Sequence, residues 1–273
     1  MPSIDGLSQT SGVADWLTNS HRPGILHIFD QVCNLVNERR EVLSVVVPEI
    51  GNGPFSLVVE DIVLSDYIDP HSKVSVSQDR LALGDLTVNT ATAELWSARP
   101  DWEALQARRE IIVHFMAALA GVFPRPLLPE FLIDNFSIAV AKADVSSALA
   151  ITSSLAGLGA GLTPAGDDFI MGSFFAAWII HPPEAADKLG QEIVDTAAPL
   201  TTSLSAAWLK SAGRGEAGAA WHEFLDAFLT DPVCSLSYLQ ERLVRILEVG
   251  ETSGADALSG FAGVLSASTE IPS

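Results

Sequence analysis

The residues of this sequence that could do chemistry crowd into one stretch, Gly157-Leu158-Gly159-Ala160-Gly161-Leu162-Thr163-Pro164-Ala165-Gly166-Asp167-Asp168, which runs straight into the apolar segment from Phe169 to Ile180. Glycines at alternate positions let the backbone turn sharply and come close to a ligand. Thr163 and Pro164 are helix-start residues, and the run beyond Asp168 predicts a helix apolar all round. A helix start is a natural anion site, because its first N–H groups lack internal partners and the positive end of the dipole lies there. Two aspartates complicate this, since paired carboxylates repel a bare anion. Either Asp167 and Asp168 cap the helix, or they hold Mg²⁺ or a ligand N–H while Gly159, Gly161, Gly166 and the Thr163 hydroxyl hold ligand oxygens. Capping needs one special residue, and this loop has four glycines.

Two later segments resemble that start. In Pro199-Leu200-Thr201-Thr202-Ser203-Leu204-Ser205 four hydroxyls crowd a helix beginning, where a single N-cap needs one. Thr201, Thr202 and Ser203 are therefore candidate ligand contacts, with local capping as the alternative. In Gly250-Glu251-Thr252-Ser253-Gly254-Ala255-Asp256-Ala257-Leu258-Ser259-Gly260 the spacing of the first motif returns: Gly166 pairs with Gly254, Asp168 with Asp256, Ile170 with Leu258 and Gly172 with Gly260. The trailing glycines would let two helices approach closely, and the leading turns would set Asp168 and Asp256 at comparable heights. The expectation is that both helix starts lie side by side and, with the Thr201-Thr202-Ser203 turn, line one pocket for a small oxygen-bearing metabolite. Asp167, Asp168 and Asp256 would be its catalytic groups, and Thr252, Ser253 and Gly254 would contact the ligand. Arg214, flanked by Gly213 and Gly215, is the one cation placed near an anionic ligand, since arginine grips carboxylate and phosphate bidentately. A solvated loop arginine is the other reading.

The elements that must position these residues divide the chain. Residues 1–22 read as a short helix or arm around Trp16 and Leu17. From Gly24 the period becomes strand-like: Ile25 to Phe29, Val32 to Val36, Val42 to Val47, Phe55 to Val59 and Leu81 to Trp96 are β-branched runs separated by turn signals. Residues 1–100 should thus form a β-rich sandwich or barrel. Beyond Pro100-Asp101 the spacing turns helical, with one helix from Trp102 to Leu119 ended by Gly121 and Pro124. Further helices are expected over Ser137 to Leu155, Asp168 to Ile180, Glu184 to Ala197, Ser203 to Ala212, Ala217 to Leu229, Ser235 to Val249 and Ser253 to Ala267. The fold class is α+β, a β-rich module followed by an all-helical domain over residues 101–273.

Composition narrows the function. A formal net charge of -19 makes nucleic acid and acidic membrane surfaces poor partners. The longest apolar stretch stops at His181-Pro182-Pro183, too short to span a bilayer. No basic N-terminus precedes an apolar run, and Cys33 and Cys234 have no ligand spacing, so a cytoplasmic protein with reduced thiols is expected. The six histidines show no metal spacing, and Ser203 and Ser205 lack a base visible in sequence.

The motifs at 157 to 168, 201 to 206 (Thr-Thr-x-x-Ser-Ala, here Thr201 to Ala206) and 252 to 260, in that order, resemble the AllH-type family, which includes a subunit of oxamate carbamoyltransferase. In that family a histidine often precedes the Thr-Ser-Gly turn; here the position is Glu251. The resemblance implies a role in purine-ureide (allantoin and oxalurate) breakdown, within a complex of unlike subunits that exchanges oxalurate and phosphate with oxamate and carbamoyl phosphate. Two other readings stand beside it: a non-catalytic assembly subunit whose glycines serve only helix packing, and a Mg²⁺-dependent hydrolase using Asp167, Asp168 and Asp256.

Overall fold

The computed structural model describes residues 2–77, 79–119, 126–230 and 235–270. The chain separates into two compact units, Met1–Ala98 and Arg99–Ser273.

The first unit is a nearly closed β-barrel over residues 3–95. Its strands are β1 (Ser3–Gln9), β2 (Gly24–Ile28), β3 (Val32–Val36), β4 (Val42–Val46), β5 (Ser56–Val59), β6 (Val74–Ser77), β7 (Arg80–Leu83), β8 (Leu86–Asn89) and β9 (Glu94–Leu95), with helix α1 (Ser11–Asn19) after the first. They run in the order β2-β3-β4-β5-β1-β8-β7-β6, with β9 beside β1. Leu35, Leu43, Val45, Leu57, Leu81, Leu83 and Val88 fill the interior.

Residues 3–9 correct the expectation of an N-terminal arm. β1 pairs with β5 on one side and β8 on the other. Its sequence is mostly polar, and in its first half alternate residues are buried, so pairing on both edges supplies what β-propensity does not. A Cβ on Gly6 would stand 3.2 Å from the Asn89 carbonyl, so the strand crosses its neighbour closely there. The expected single strand from Leu81 to Trp96 is three, because Gly84 at φ +57 folds β7 back onto β8. Strand β6 had no sequence signal beyond Val74 and Val76.

The second unit is helical: α2 (Trp102–Ala107), α3 (Arg109–Ala118), α4 (Glu130–Ala141), α5 (Val145–Leu155), α6 (Ala165–Ile180), α7 (Pro183–Ala197), α8 (Ser203–Gly213), α9 (Ala219–Thr230), α10 (Leu236–Leu247) and α11 (Ser253–Thr269). Two expected long helices are each broken in two. Arg108 leaves helical geometry between α2 and α3, and Ala143 at φ +51 turns the chain between α4 and α5, where Asp144 caps the new start. Gly121, Pro124 and Cys234 lie outside the described residues. Cys33, inside the barrel, is free and buried, and burial pushes its thiol up to about 12.

Helix α6 is the axis of this unit. From Gly166 to Ile180 every residue but Met171 is buried, which explains a sequence with no polar face. Phe175 packs 4.7 Å, centroid to centroid, from Trp221, which meets Phe261 at 5.3 Å. Helix α11 lies directly on α6. A Cβ on Gly172 would fall 1.7 Å from the Ala257 carbonyl oxygen, and one on Gly260 2.0 Å from that of Phe169. Only glycine permits that approach, and it fixes the two helix starts at the same end.

Candidate functional site

Three helix starts meet at the end of α6: its own, that of α8 and that of α11. Pro164 precedes α6 without a side-chain cap, so the first turn finds partners elsewhere. The Gly166 N–H donates to the Leu158 carbonyl at 2.8 Å, closing the glycine loop over the helix end. Gly157, at φ +72, begins the loop against the Leu200 carbonyl, where a Cβ would sit at 2.5 Å. Gly159 (φ +128) and Gly161 (φ +96) also hold conformations that favour glycine, and nothing lies within 4 Å of a Cβ built on Gly161. Residues 158–162 are exposed. Among the described residues, the amides of Gly159, Ala160 and Gly161 donate to no protein acceptor.

Asp167 does not cap its own helix. Its Oδ1 accepts the Gly157 N–H at 2.9 Å, and its Oδ2 accepts the Ser205 hydroxyl at 2.8 Å and the Thr201 hydroxyl. The carboxylate therefore ties the start of the loop to the start of α8. Thr202 caps α8 by accepting the Ser205 N–H at 3.0 Å, and its hydroxyl donates to the Leu162 carbonyl at 2.7 Å. Burial pushes the Asp167 carboxyl up, and the Thr201, Gly157 and Ser205 donors pull it back.

Asp168 faces the other way, toward α11. It is 3% exposed, and its Oδ2 is sealed from solvent without a hydrogen-bond partner. Burial is the main reason its carboxyl is pushed up to about 8. The Ser253 and Thr163 hydroxyls oppose the shift, and the charges of Asp256 and Asp167 add to it. A buried carboxyl in that state carries a proton at neutral pH. Thr163 on the loop and Ser253 at the first position of α11 share a hydrogen bond of 2.8 Å, so two hydroxyls stand over Asp168 and link it to the exposed loop. Asp256 is buried as well; burial pushes its carboxyl up and the Thr252 hydroxyl counters it.

Asp168 and Asp256 lie side by side at the starts of α6 and α11. Asp167, Asp168 and Asp256 lie beneath the surface, and the two leading glycines serve packing. A Cβ on Gly166 would fall 2.0 Å from the Leu155 carbonyl, and one on Gly254 1.8 Å from that of Ile246. The Gly254 N–H is taken by the Val249 carbonyl. The physical reason is desolvation: buried carboxyls must find donors or protons, and the hydroxyls that the sequence supplies in surplus close around them. Ser203 opens α8 half-buried, and Thr252 precedes α11 exposed. Arg214 lies outside the cluster. It ends α8, about 18 Å along the helix from Thr202, and pairs with Glu216 at 2.8 Å.

Asp167 already accepts from three groups, and burial raises the Asp168 carboxyl. Among the described residues no group of three or more His, Cys, Asp or Glu is placed to hold a metal ion. Ser205 and Gly157, both contacts of Asp167, were not singled out as site residues from sequence. The surplus of hydroxyls around 201–205 was the available signal for the first.

A barrel followed by a helical body whose three converging helix starts bury a carboxyl cluster under a glycine-rich loop defines the class. Residues 155–265, which begin just before that loop and end inside α11, match the family model described as oxamate carbamoyltransferase subunit AllH, and residues 5–95 match the AllH family N-terminal domain. The chain belongs to the AllH family, whose description is that of a carbamoyltransferase subunit and so implies other subunits. No curated protein and no solved structure matches it. Among the described residues no helix is long and apolar enough to cross a membrane.

Proposed function

We propose that this chain supplies the small-anion and proton-handling site of an oxamate carbamoyltransferase-type complex in ureide breakdown. The observation that carries this is the orphaned, buried Asp168 Oδ2 behind the Ser253 and Thr163 hydroxyls, under a loop of unpaired amides. The transfer moves a carbamoyl carbon between two atoms, a phosphate oxygen and the amide nitrogen of oxamate. As the C–O bond forms and the C–N bond breaks, the phosphate proton must end on nitrogen. A carboxyl that holds its proton near neutrality suits that exchange. Asp168 would store it, with Ser253 and Thr163 passing it to the ligand. The Gly159, Ala160 and Gly161 amides would hold carboxylate or phosphate oxygens with no charge of their own, as fixed dipoles that need not reorganise.

Asp168→Asn tests this in the assembled complex. The amide keeps the shape and the neutrality of the protonated acid but cannot release a proton. Turnover is expected to fall by roughly 100-fold or more, within the usual range for general acid–base groups, with folding and assembly intact. Turnover within threefold of wild type would leave the packing role alone.

A further inference from the structure

The first unit carries a cleft that the proposed function does not use. It lies between α1 and β6, at the end of the sheet where the strand order stops, and has a volume of about 530 Å³. Small-molecule sites have that size and set a few placed polar groups among apolar walls. Leu17 of α1 and Val76 of β6 supply apolar wall here. The hydroxyls of Thr18 and Ser20, which also line it, donate to the Ala14 and Trp16 carbonyls of α1 at 2.9 and 2.6 Å. Hydrogen-bonding capacity is left at Gln9 and Thr90. The Gln9 Oε1 is buried and has no hydrogen-bond partner, so it has lost water without compensation. Its backbone is fixed, because β1 ends there, paired with Leu57 of β5 and Leu95 of β9. The carboxamide turns easily about its last torsion and can offer an acceptor and a donor to one ligand edge. Thr90 follows β8 and is 7% exposed. Its N–H donates to the Asp79 carbonyl at 2.9 Å and its carbonyl accepts from Ala93, so the hydroxyl is the group it has to spare.

We infer that this cleft of the barrel binds an uncharged, planar cyclic amide of nucleobase or nucleoside size, with Gln9 pairing its –CO–NH– edge and the Thr90 hydroxyl bonding a second polar atom of the ring. An acceptor beside a donor is the complement of that edge, whose N–H donates while its carbonyl accepts. The apolar walls suit a flat ring, and a metabolite as small as oxamate would leave most of the volume empty. The exposed Asp79, another lining residue, disfavours an anion such as a nucleotide. The inference is independent of the Asp168 reading, since every residue it uses belongs to the first unit.

Isothermal titration of the full-length chain with hypoxanthine, inosine and uracil, each of which carries the edge, should show binding. The tighter of hypoxanthine and inosine tells whether the free base or the nucleoside is the ligand. Hypoxanthine and uracil methylated at the nitrogen of that edge keep the ring and lose the N–H, and should bind at least about tenfold more weakly, the cost of leaving a buried acceptor unpaired. Gln9→Met and Thr90→Val keep side-chain size and remove the polar groups, and each should weaken hypoxanthine binding about tenfold. Because the Gln9 Oε1 has no partner in the protein, Gln9→Met should also melt at or above the wild-type temperature, whereas a structural role for the carboxamide would lower it. Ala91→Trp, at an exposed position lining the cleft, should fill it and abolish binding while melting like wild type, and it carries the test should either isosteric variant misfold. No binding of any of the three compounds, equal binding of the methylated forms, or wild-type affinity in all three folded variants would overturn the inference.

Discussion

The protonated state of Asp168 has a thermodynamic signature that can be measured without any substrate. An ordinary aspartate titrates near about 3.9, whereas the Asp168 carboxyl is raised to about 8. Between those values the folded chain binds a proton that the unfolded chain has released. Stability therefore falls as pH rises, by about 1.4 kcal/mol per unit for one proton. The contribution is fully present below about pH 4, declines through neutrality and is exhausted above about pH 8. Asp168→Asn removes this titration and keeps the shape, while the upward shifts of Asp167 and Asp256 are present in both proteins. Wild type should therefore lose about 3 kcal/mol relative to the variant between about pH 5 and pH 7. For a helical unit of this size that corresponds to roughly 6–12 °C in Tm. Urea unfolding followed by circular dichroism at the helical minimum, for both proteins across the pH series, reads the difference directly. A difference that stays flat from about pH 5 to pH 8 would mean that Asp168 is ionised throughout, and the argument from burial would fail.

Other consequences concern packing and chemistry. Gly172→Ala places a methyl 1.7 Å from the Ala257 carbonyl oxygen, so α11 must move outward by more than an ångström. A loss of about 3 kcal/mol or more is expected in thermal melts, and a loss under about 1 kcal/mol would contradict the close helix approach. Asp167→Ala strips the acceptor from Gly157, Thr201 and Ser205 and should cost about 2–4 kcal/mol, with proteolytic cleavage in residues 157–163 appearing well before global unfolding. An anion held by backbone amides needs no bridging cation, so phosphate binding by the assembled protein should be unchanged after EDTA treatment. A Mg²⁺-restored signal would reverse that conclusion.

By itself the sequence determined the division into a β-rich and a helical unit, the burial of α6 and the kinship of the three helix starts. These follow from local rules: the period of apolar residues, the density of β-branched residues, and hydroxyls and prolines at helix beginnings. The repeat relating Gly166, Asp168 and Gly172 to Gly254, Asp256 and Gly260 was legible because two helices that touch along their backbones need glycine at the same interval. The tertiary structure decided what no local rule reaches. β1 is a strand because β5 and β8 flank it, not because of its composition. Asp167 and Asp168 are neighbours in the chain, yet one points to Gly157 and α8 and the other to α11, about 100° apart on the helix. One is therefore held by three donors and the other is left holding its proton. Arg214 illustrates the same limit, since the length of α8 carried it away from the Thr202 end. Whether a carboxyl lies open to a ligand or sealed among hydroxyls depends on which surfaces are brought together, and that is a property of packing that residue order does not contain.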